Sequence, residues 1–133
     1  MSAWYLDSSA IVKLAVQEPE TDALVAWRHD IGDGDVLVTC ELAVAEVVRA
    51  VARVGGDIEA ARAQVDALAQ VVIDRDLLLA ASALQPPTMR TLDAIHLAAA
   101  SAIGDDFGGV VTYDERMASA ARTLGLALVA PGR

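Results

Sequence analysis

Short apolar runs of strand length alternate along the chain with longer stretches of helical periodicity. Ala3 to Leu6 is an unbroken apolar run that stops at Asp7, as a short buried strand does. Ser8, Ser9 and the apolar-periodic stretch through Val16 then open a helix, closed by Pro19. A further helix starts at Thr21 or Asp22 and runs through Arg28, and the Asp-Gly-Asp segment around Gly34 turns the chain into a second strand, Val36 to Thr39. An Ala/Val-rich helix follows from about Glu41 to Val54, where Gly55-Gly56 ends it. Asp57 caps the next helix, to about Ala69, and Val71 to Ile73 is a β-branched third strand. Asp74 or Asp76 starts a helix to about Leu84, and Pro86-Pro87 forces a break. Thr91 caps a helix through Ile103, Gly108-Gly109 precedes a fourth strand at Val110 to Thr112, and Asp114 opens another helix before a last strand, Ala127 to Ala130. Strands alternating with helices predict an α/β fold, a parallel sheet covered on both faces.

Composition narrows the picture. The chain has 133 residues, of which 55% are hydrophobic, enough for one core, and no linker or repeat divides it, so a single domain spanning 1–133 is expected. The formal net charge of -9 repels nucleic acid and anionic membranes over most of the surface, so a polyanion must be met locally. Cys40 is the one cysteine, which excludes an internal disulfide and a cysteine-built zinc site and suits a reducing compartment, the cytoplasm. No basic leader precedes the first apolar residues, and charges interrupt every apolar stretch well before the ~20 residues a membrane span needs, so no export signal and no membrane association are expected.

Four acidic residues stand at informative places. Asp7 and Asp114 each follow a strand and precede a helix, which suits an N-cap. The same position, the carboxyl end of a strand in an open α/β sheet, is also where ligands bind when strand order reverses. Asp93 lies in a first helical turn, where the helix dipole favours a negative charge. Glu46 sits within the apolar string Leu42-Ala-Val-Ala-Glu-Val-Val, and its ordinary explanation is an ion pair with Arg49 one turn on. Two carboxylates about 4 Å apart repel by roughly 4 kcal/mol at an effective dielectric near 20. A cluster of four therefore calls for a cation, and oxygen ligands without a cysteine set or histidine pair favour Mg²⁺, or Mn²⁺, over zinc.

The strings Tyr5-Leu-Asp-Ser-Ser-Ala-Ile-Val-Lys-Leu, Glu41-Leu-Ala-Val-Ala-Glu-Val-Val-Arg-Ala, Leu92-Asp-Ala-Ile-His-Leu-Ala-Ala-Ala and Val111-Thr-Tyr-Asp-Glu-Arg-Met span nearly the whole chain. Together they resemble the PIN-domain family of metal-dependent ribonucleases, most closely the VapC-type toxins of bacterial toxin-antitoxin pairs. Leu-Asp-Ala-Ile-His-Leu is the most specific of the four. The resemblance implies a three-layer α/β/α fold with a five-stranded parallel sheet in the order 3-2-1-4-5. It places the family's acidic quartet on Asp7, Glu46, Asp93 and Asp114, with Thr112 as the hydroxyl before the last aspartate. Glu41 competes with Glu46 for the helix position, and the Val-Val-Arg-Ala that follows favours Glu46. The function implied is Mg²⁺-dependent RNA hydrolysis leaving a 5′-phosphate and a 3′-hydroxyl, with Asp7, Asp93 and Asp114 as metal residues, a small antitoxin as inhibitor, and a homodimer as the unit. Asp7 and Asp114 are expected to touch the ion directly, with Asp93 and Glu46 completing the shell or positioning water. The alternative within the same fold is a binding module that acts through its antitoxin in transcriptional autoregulation, with vestigial nuclease activity.

Other residues carry smaller expectations. Ser8 is expected to support a carboxylate or phosphate, and Ser9 shares its position. Arg49, Arg53, Arg90 and Arg116 are candidates for a local basic rim facing RNA or the antitoxin. His96 reads as a packed core or interface residue and Cys40 as a small packing residue. Five aromatics, Trp4, Tyr5, Trp27, Phe107 and Tyr113, give no stacking platform for single-stranded RNA. A phosphoaspartate receiver is excluded because no lysine follows Lys13, and a haloacid-dehalogenase-like phosphatase because Ser9 stands where its second aspartate belongs. No glycine-rich loop ends in Lys-Ser or Lys-Thr, which excludes a P-loop.

Overall fold

The computed structural model describes residues 1–133. Five parallel strands form one sheet in the order β3-β2-β1-β4-β5: β1 (Ala3–Leu6), β2 (Val36–Cys40), β3 (Ala69–Val71), β4 (Phe107–Val111) and β5 (Leu128–Val129). This is the expected order. Seven helices connect or flank them: α1 (Ser8–Ala15), α2 (Thr21–Asp30), α3 (Leu42–Arg53), α4 (Ile58–Asp66), α5 (Arg75–Ser82), α6 (Thr91–Ser101) and α7 (Glu115–Thr123).

Period-two alternation in the strands divides the core between the two faces of the sheet. Tyr5, Val38, Cys40 and Val110 point to the face covered by α5, α6 and α7, where Leu77, Leu97 and Met117 pack. Leu6 and Val111 point to the opposite face, against Ile11, Leu24, Val47, Val51 and Val65 of α1 to α4. Helix α6 is buried along almost its whole length, from Ala94 to Ala100, because its run of alanines lets it lie close to the sheet. No helix is long and apolar enough to cross a membrane.

Several boundaries differ from the expected ones. Strand β3 is Ala69–Val71, not Val71–Ile73, because Val38 pairs with Ala69 and Cys40 with Val71. The amide of Ile73 instead donates to the Glu41 carboxylate at 2.7 Å. Helix α4 accordingly stops at Asp66. Strand β4 begins at Phe107 and ends at Val111, so Gly108 and Gly109 belong to it and do not precede it. The Trp4 ring lies over Gly108 so closely that a Cβ there would stand 3.0 Å from it, which explains a glycine inside a strand. Strand β5 is shorter than expected, Leu128–Val129. The cap position of α6 is Arg90, with Thr91 its first helical residue, and no side chain caps that end.

Candidate active site

The chain runs from β1 to β2 on one side of the sheet and from β4 to β5 on the other, so the order reverses between the adjacent strands β1 and β4. The carboxyl ends of those two strands form the crevice where α/β sheets bind ligands. Asp7 follows β1 and Asp114 lies three residues beyond β4, each as the N-cap of the next helix.

Hydroxyl groups tie the two turns together. Thr112 Oγ1 donates to Asp7 Oδ2 at 2.5 Å and accepts from the Asp114 amide at 3.1 Å. Ser9 Oγ donates to Asp7 Oδ1 at 2.7 Å and accepts from the Tyr113 amide at 2.9 Å. With the Ala10 amide at 3.1 Å as well, both Asp7 oxygens are held in fixed directions. Asp7 is 3% exposed, and burial pushes its carboxyl above the ordinary value despite the opposing hydrogen bonds from Ser9, Thr112 and Ala10.

Glu46 reaches the same pole from α3. Its Oε1 accepts from Ser8 Oγ at 2.7 Å and from His96 Nε2 at 2.6 Å, which leaves Oε2 without a protein partner. Its partner is thus His96, and no ion pair forms with Arg49. Glu41 is exposed and turned to Ile73, so the helix register selects Glu46. Burial raises the Glu46 carboxyl, but the His96 and Ser8 bonds outweigh it and hold it below the ordinary range.

His96 is buried, as expected of a core residue, yet packing is only part of its role. It stands on α6 and meets Glu46 of α3, so the pair joins helices from opposite layers across the strand ends. Its Nδ1 bonds Tyr5 Oη at 2.7 Å and lies 3.7 Å from Cys40 Sγ, giving the cysteine a polar contact beyond simple packing. Burial opposes a charge on the ring, but Cys40 and the Glu46 carboxylate outweigh it and push His96 up to about 10. Glu46, at 2.6 Å against 3.7 Å for Cys40 Sγ, is the counter-ion. His96 is then an imidazolium at neutral pH, with both ring nitrogens donating. The sequence signal that could have revealed this was the lone histidine one turn after Asp93 on an otherwise apolar helix.

Asp93 lies in the first turn of α6, partly buried. Burial first, then the Asp114 and Glu46 carboxylates, raise its carboxyl above the ordinary value against the attraction of His96 and Arg90. Asp93, Asp114 and Glu46 therefore lie within electrostatic reach of one another, and Asp7 is joined to the Asp114 turn through Thr112. Arg90 and Arg116 line a cleft together with Asp93, whereas Arg49 and Arg53 lie exposed along α3 and line no cavity with the cluster. Lys13, the only lysine, is buried against Glu20 at 3.3 Å and takes no part.

The sequence of residues 4–123 matches the PIN domain model. The chain belongs to the PIN-domain family. Among relatives of this PIN domain, Ribonuclease VapC46 of Mycobacterium tuberculosis is 48% identical over 132 residues, 98% of this chain and 99% of that protein. Ribonuclease VapC47 of the same species is 40% identical over 131 residues, 96% of each chain. The crystal structure of Mycobacterium tuberculosis VapC20, a sarcin-ricin loop cleaving toxin, superposes with a TM-score of 0.74 at 16% identity, over 96% of this chain and 99% of that one. That likeness concerns the fold.

The donor set can be tested against a metal ion. No three His, Cys, Asp or Glu side chains stand close enough to form a ready cage. His96 has both nitrogens engaged and Cys40 is fully buried, so only carboxylate and hydroxyl oxygens face the crevice. Oxygen donors set apart in this way fit a hydrated hard cation such as Mg²⁺, which keeps several waters and touches one or two carboxylates.

Proposed function

We propose that this PIN-domain protein is an Mg²⁺-dependent endoribonuclease of the VapC toxin type, with Mn²⁺ as a substitute ion. What supports the reading is the pair Asp7 and Asp114 at the β1/β4 reversal, tied through Thr112, with Asp93 in the first turn of α6 and Glu46 held by the buried His96. Four carboxylates against one imidazolium leave an excess of negative charge that a divalent cation offsets. The ribonuclease relatives, nearly full length, support the same reading.

Asp7, Asp93 and Asp114 would hold the ion, and Glu46 would turn its unoccupied Oε2 toward the water that attacks. When bound, the ion supplies charge neutralisation at the phosphodiester and polarises oxygen ligands. The chain supplies the geometry. Thr112 and Ser9 fix the direction of the Asp7 oxygens, and Ser8 and His96 fix Glu46, so a reacting phosphate meets carboxylates that need no reorganisation. Because Glu46 lies below the ordinary carboxylate range, it stays ionised at neutral pH and can orient the water by accepting a hydrogen bond. The products would carry a 5′-phosphate and a 3′-hydroxyl.

The working unit would be a cytoplasmic homodimer neutralised by a small antitoxin, whose cationic segment the acidic pole would attract. Incubating the purified protein with single-stranded RNA and Mg²⁺ tests the reading: cleavage is expected, lost on chelation and restored by Mg²⁺. Binding of antitoxin and operator without any cleavage would replace it with the autoregulatory binding module. Sequencing RNA ends after brief expression of wild type and Asp7→Asn would identify the target.

A further inference from the structure

Beside the acidic cluster lies a cleft of about 290 Å³ whose character is opposite in charge. Its walls are the segment leading into α6, which contributes Thr88 and Arg90, the first turn of α6 with Asp93, and one stripe of α7. That stripe consists of Arg116, Ser119 and Thr123, at positions i, i+3 and i+7 of a helix, which brings three polar side chains onto one face.

Arg90 and Arg116 are exposed and enter no salt bridge, and both line this cleft. In so acidic a protein, two unpaired arginines facing one cleft form a local exception to a field that otherwise repels polyanions. They also flank the cluster in sequence: Arg90 stands three residues before Asp93 and Arg116 two after Asp114.

Resting on the nuclease reading, we infer that this cleft is a subsite for one ribose-phosphate unit of the RNA backbone, adjoining the nucleotide whose phosphodiester is cut. Arg90 and Arg116 clamp the phosphate, and the hydroxyls of Thr88, Ser119 and Thr123 meet phosphate or ribose oxygens. The cleft lies at the small end of ligand pockets and has no aromatic lining, so it holds backbone and stacks no base. Backbone contacts position a nucleic acid without reading its sequence. The subsite therefore contributes affinity and register, and selectivity among RNAs arises elsewhere.

The test is fluorescence anisotropy of labelled single-stranded RNA oligonucleotides in EDTA, where affinity is measured without cleavage. Arg90→Ala and Arg116→Ala are each expected to weaken binding about tenfold at low salt, the loss of one charge-assisted contact. Each should also flatten the salt dependence by about 0.7 in slope per lost contact, equally for oligonucleotides of unrelated sequence. Arg62→Ala, on the exposed face of α4 and paired with Glu59, should change nothing. In Mg²⁺ the two variants should raise KM with kcat retained. Unchanged affinity and slope in both variants, or an equal loss in Arg62→Ala, would overturn the subsite. So would a polyglutamate peptide of matched charge that displaces the RNA at equal concentration, because the cleft would then belong to an acidic protein segment. The two readings fail separately. Arginine-dependent RNA binding by a wild type that cleaves nothing would remove the nuclease and leave the subsite, whereas cleavage with normal binding in both variants would remove only the subsite.

Discussion

The turns after β1 and β4 are built from the same local parts and end in different states. In each, an aspartate follows a parallel strand and caps the next helix, Asp7 accepting from the Ala10 amide and Asp114 from the Arg116 amide at 2.9 Å. Around Asp7, however, Ser9 and Thr112 close over the carboxylate and leave it 3% exposed, whereas Asp114 stays at the surface. A capping motif thus fixes where a carboxylate stands, and its neighbours across the sheet decide what it costs to ionise. Asp7 is the enclosed member of the pair and Asp114 the open one.

Substituting the enclosed member should have the largest effect. Asp7→Asn is expected to reduce Mg²⁺-dependent RNA cleavage by at least about 100-fold, the scale of losing an essential charge in a metal site. Its pKa is raised in the folded state, so the native protein binds that proton more tightly than the unfolded chain. The associated stability is full below the ordinary carboxylate value and is lost as pH rises through the raised one. Removing the charge should therefore leave the melting temperature at pH 7 without divalent cations equal to or above that of wild type. Adding Mg²⁺ should stabilise wild type and not the variant, and a cleaving Asp7→Asn protein would break the assignment.

Asp114→Asn should lose activity of similar order yet move the melting temperature by no more than about 2 °C, since asparagine caps a helix as well as aspartate. A larger thermal change would show that the two turns are not distinguished by burial. Thr112→Val keeps the side-chain shape while depriving Asp7 Oδ2 of its donor and the Asp114 amide of its acceptor. About 1–3 kcal/mol of stability should go, read by chemical denaturation, with roughly tenfold in kcat.

The smallest effect concerns the counter-charge. His96 is raised to about 10 in the folded protein from an ordinary value near 6.5, so its stabilisation is complete below the latter and disappears as pH climbs through the former. Melting temperatures between pH 7 and 10.5 should fall more steeply for wild type than for His96→Gln. Parallel curves would show that the ring is neutral and that the cluster lacks its internal cation.

The sequence made much of this legible, for reasons that can be located. Asp7 and Asp114 were visible because a cap is a local feature, written within three residues of the strand end. The strand at Val71–Ile73 was misplaced by two residues because β-branched side chains mark a strand only loosely, whereas its register came from pairing with β2. Gly108 and Gly109 were placed before the strand and not in it because nothing nearby in sequence announces the Trp4 ring that lies over them.

What the chain determined by itself was the alternation of strands and helices, the acidic character, and two capped aspartates, all products of short-range periodicity and composition. Tertiary structure alone decided that Ser8 and His96 hold Glu46, that His96 becomes its ion partner, and that Ser9 and Thr112 enclose Asp7. Those contacts join residues 38, 50 and 105 positions apart, Ser8 with Glu46, His96 with Glu46, and Thr112 with Asp7. Local hydrophobic pattern carries no information at that separation. Only the crossing of the chain between β1 and β4 brings such groups within hydrogen-bond reach, and at that range low dielectric and crowding set their charges.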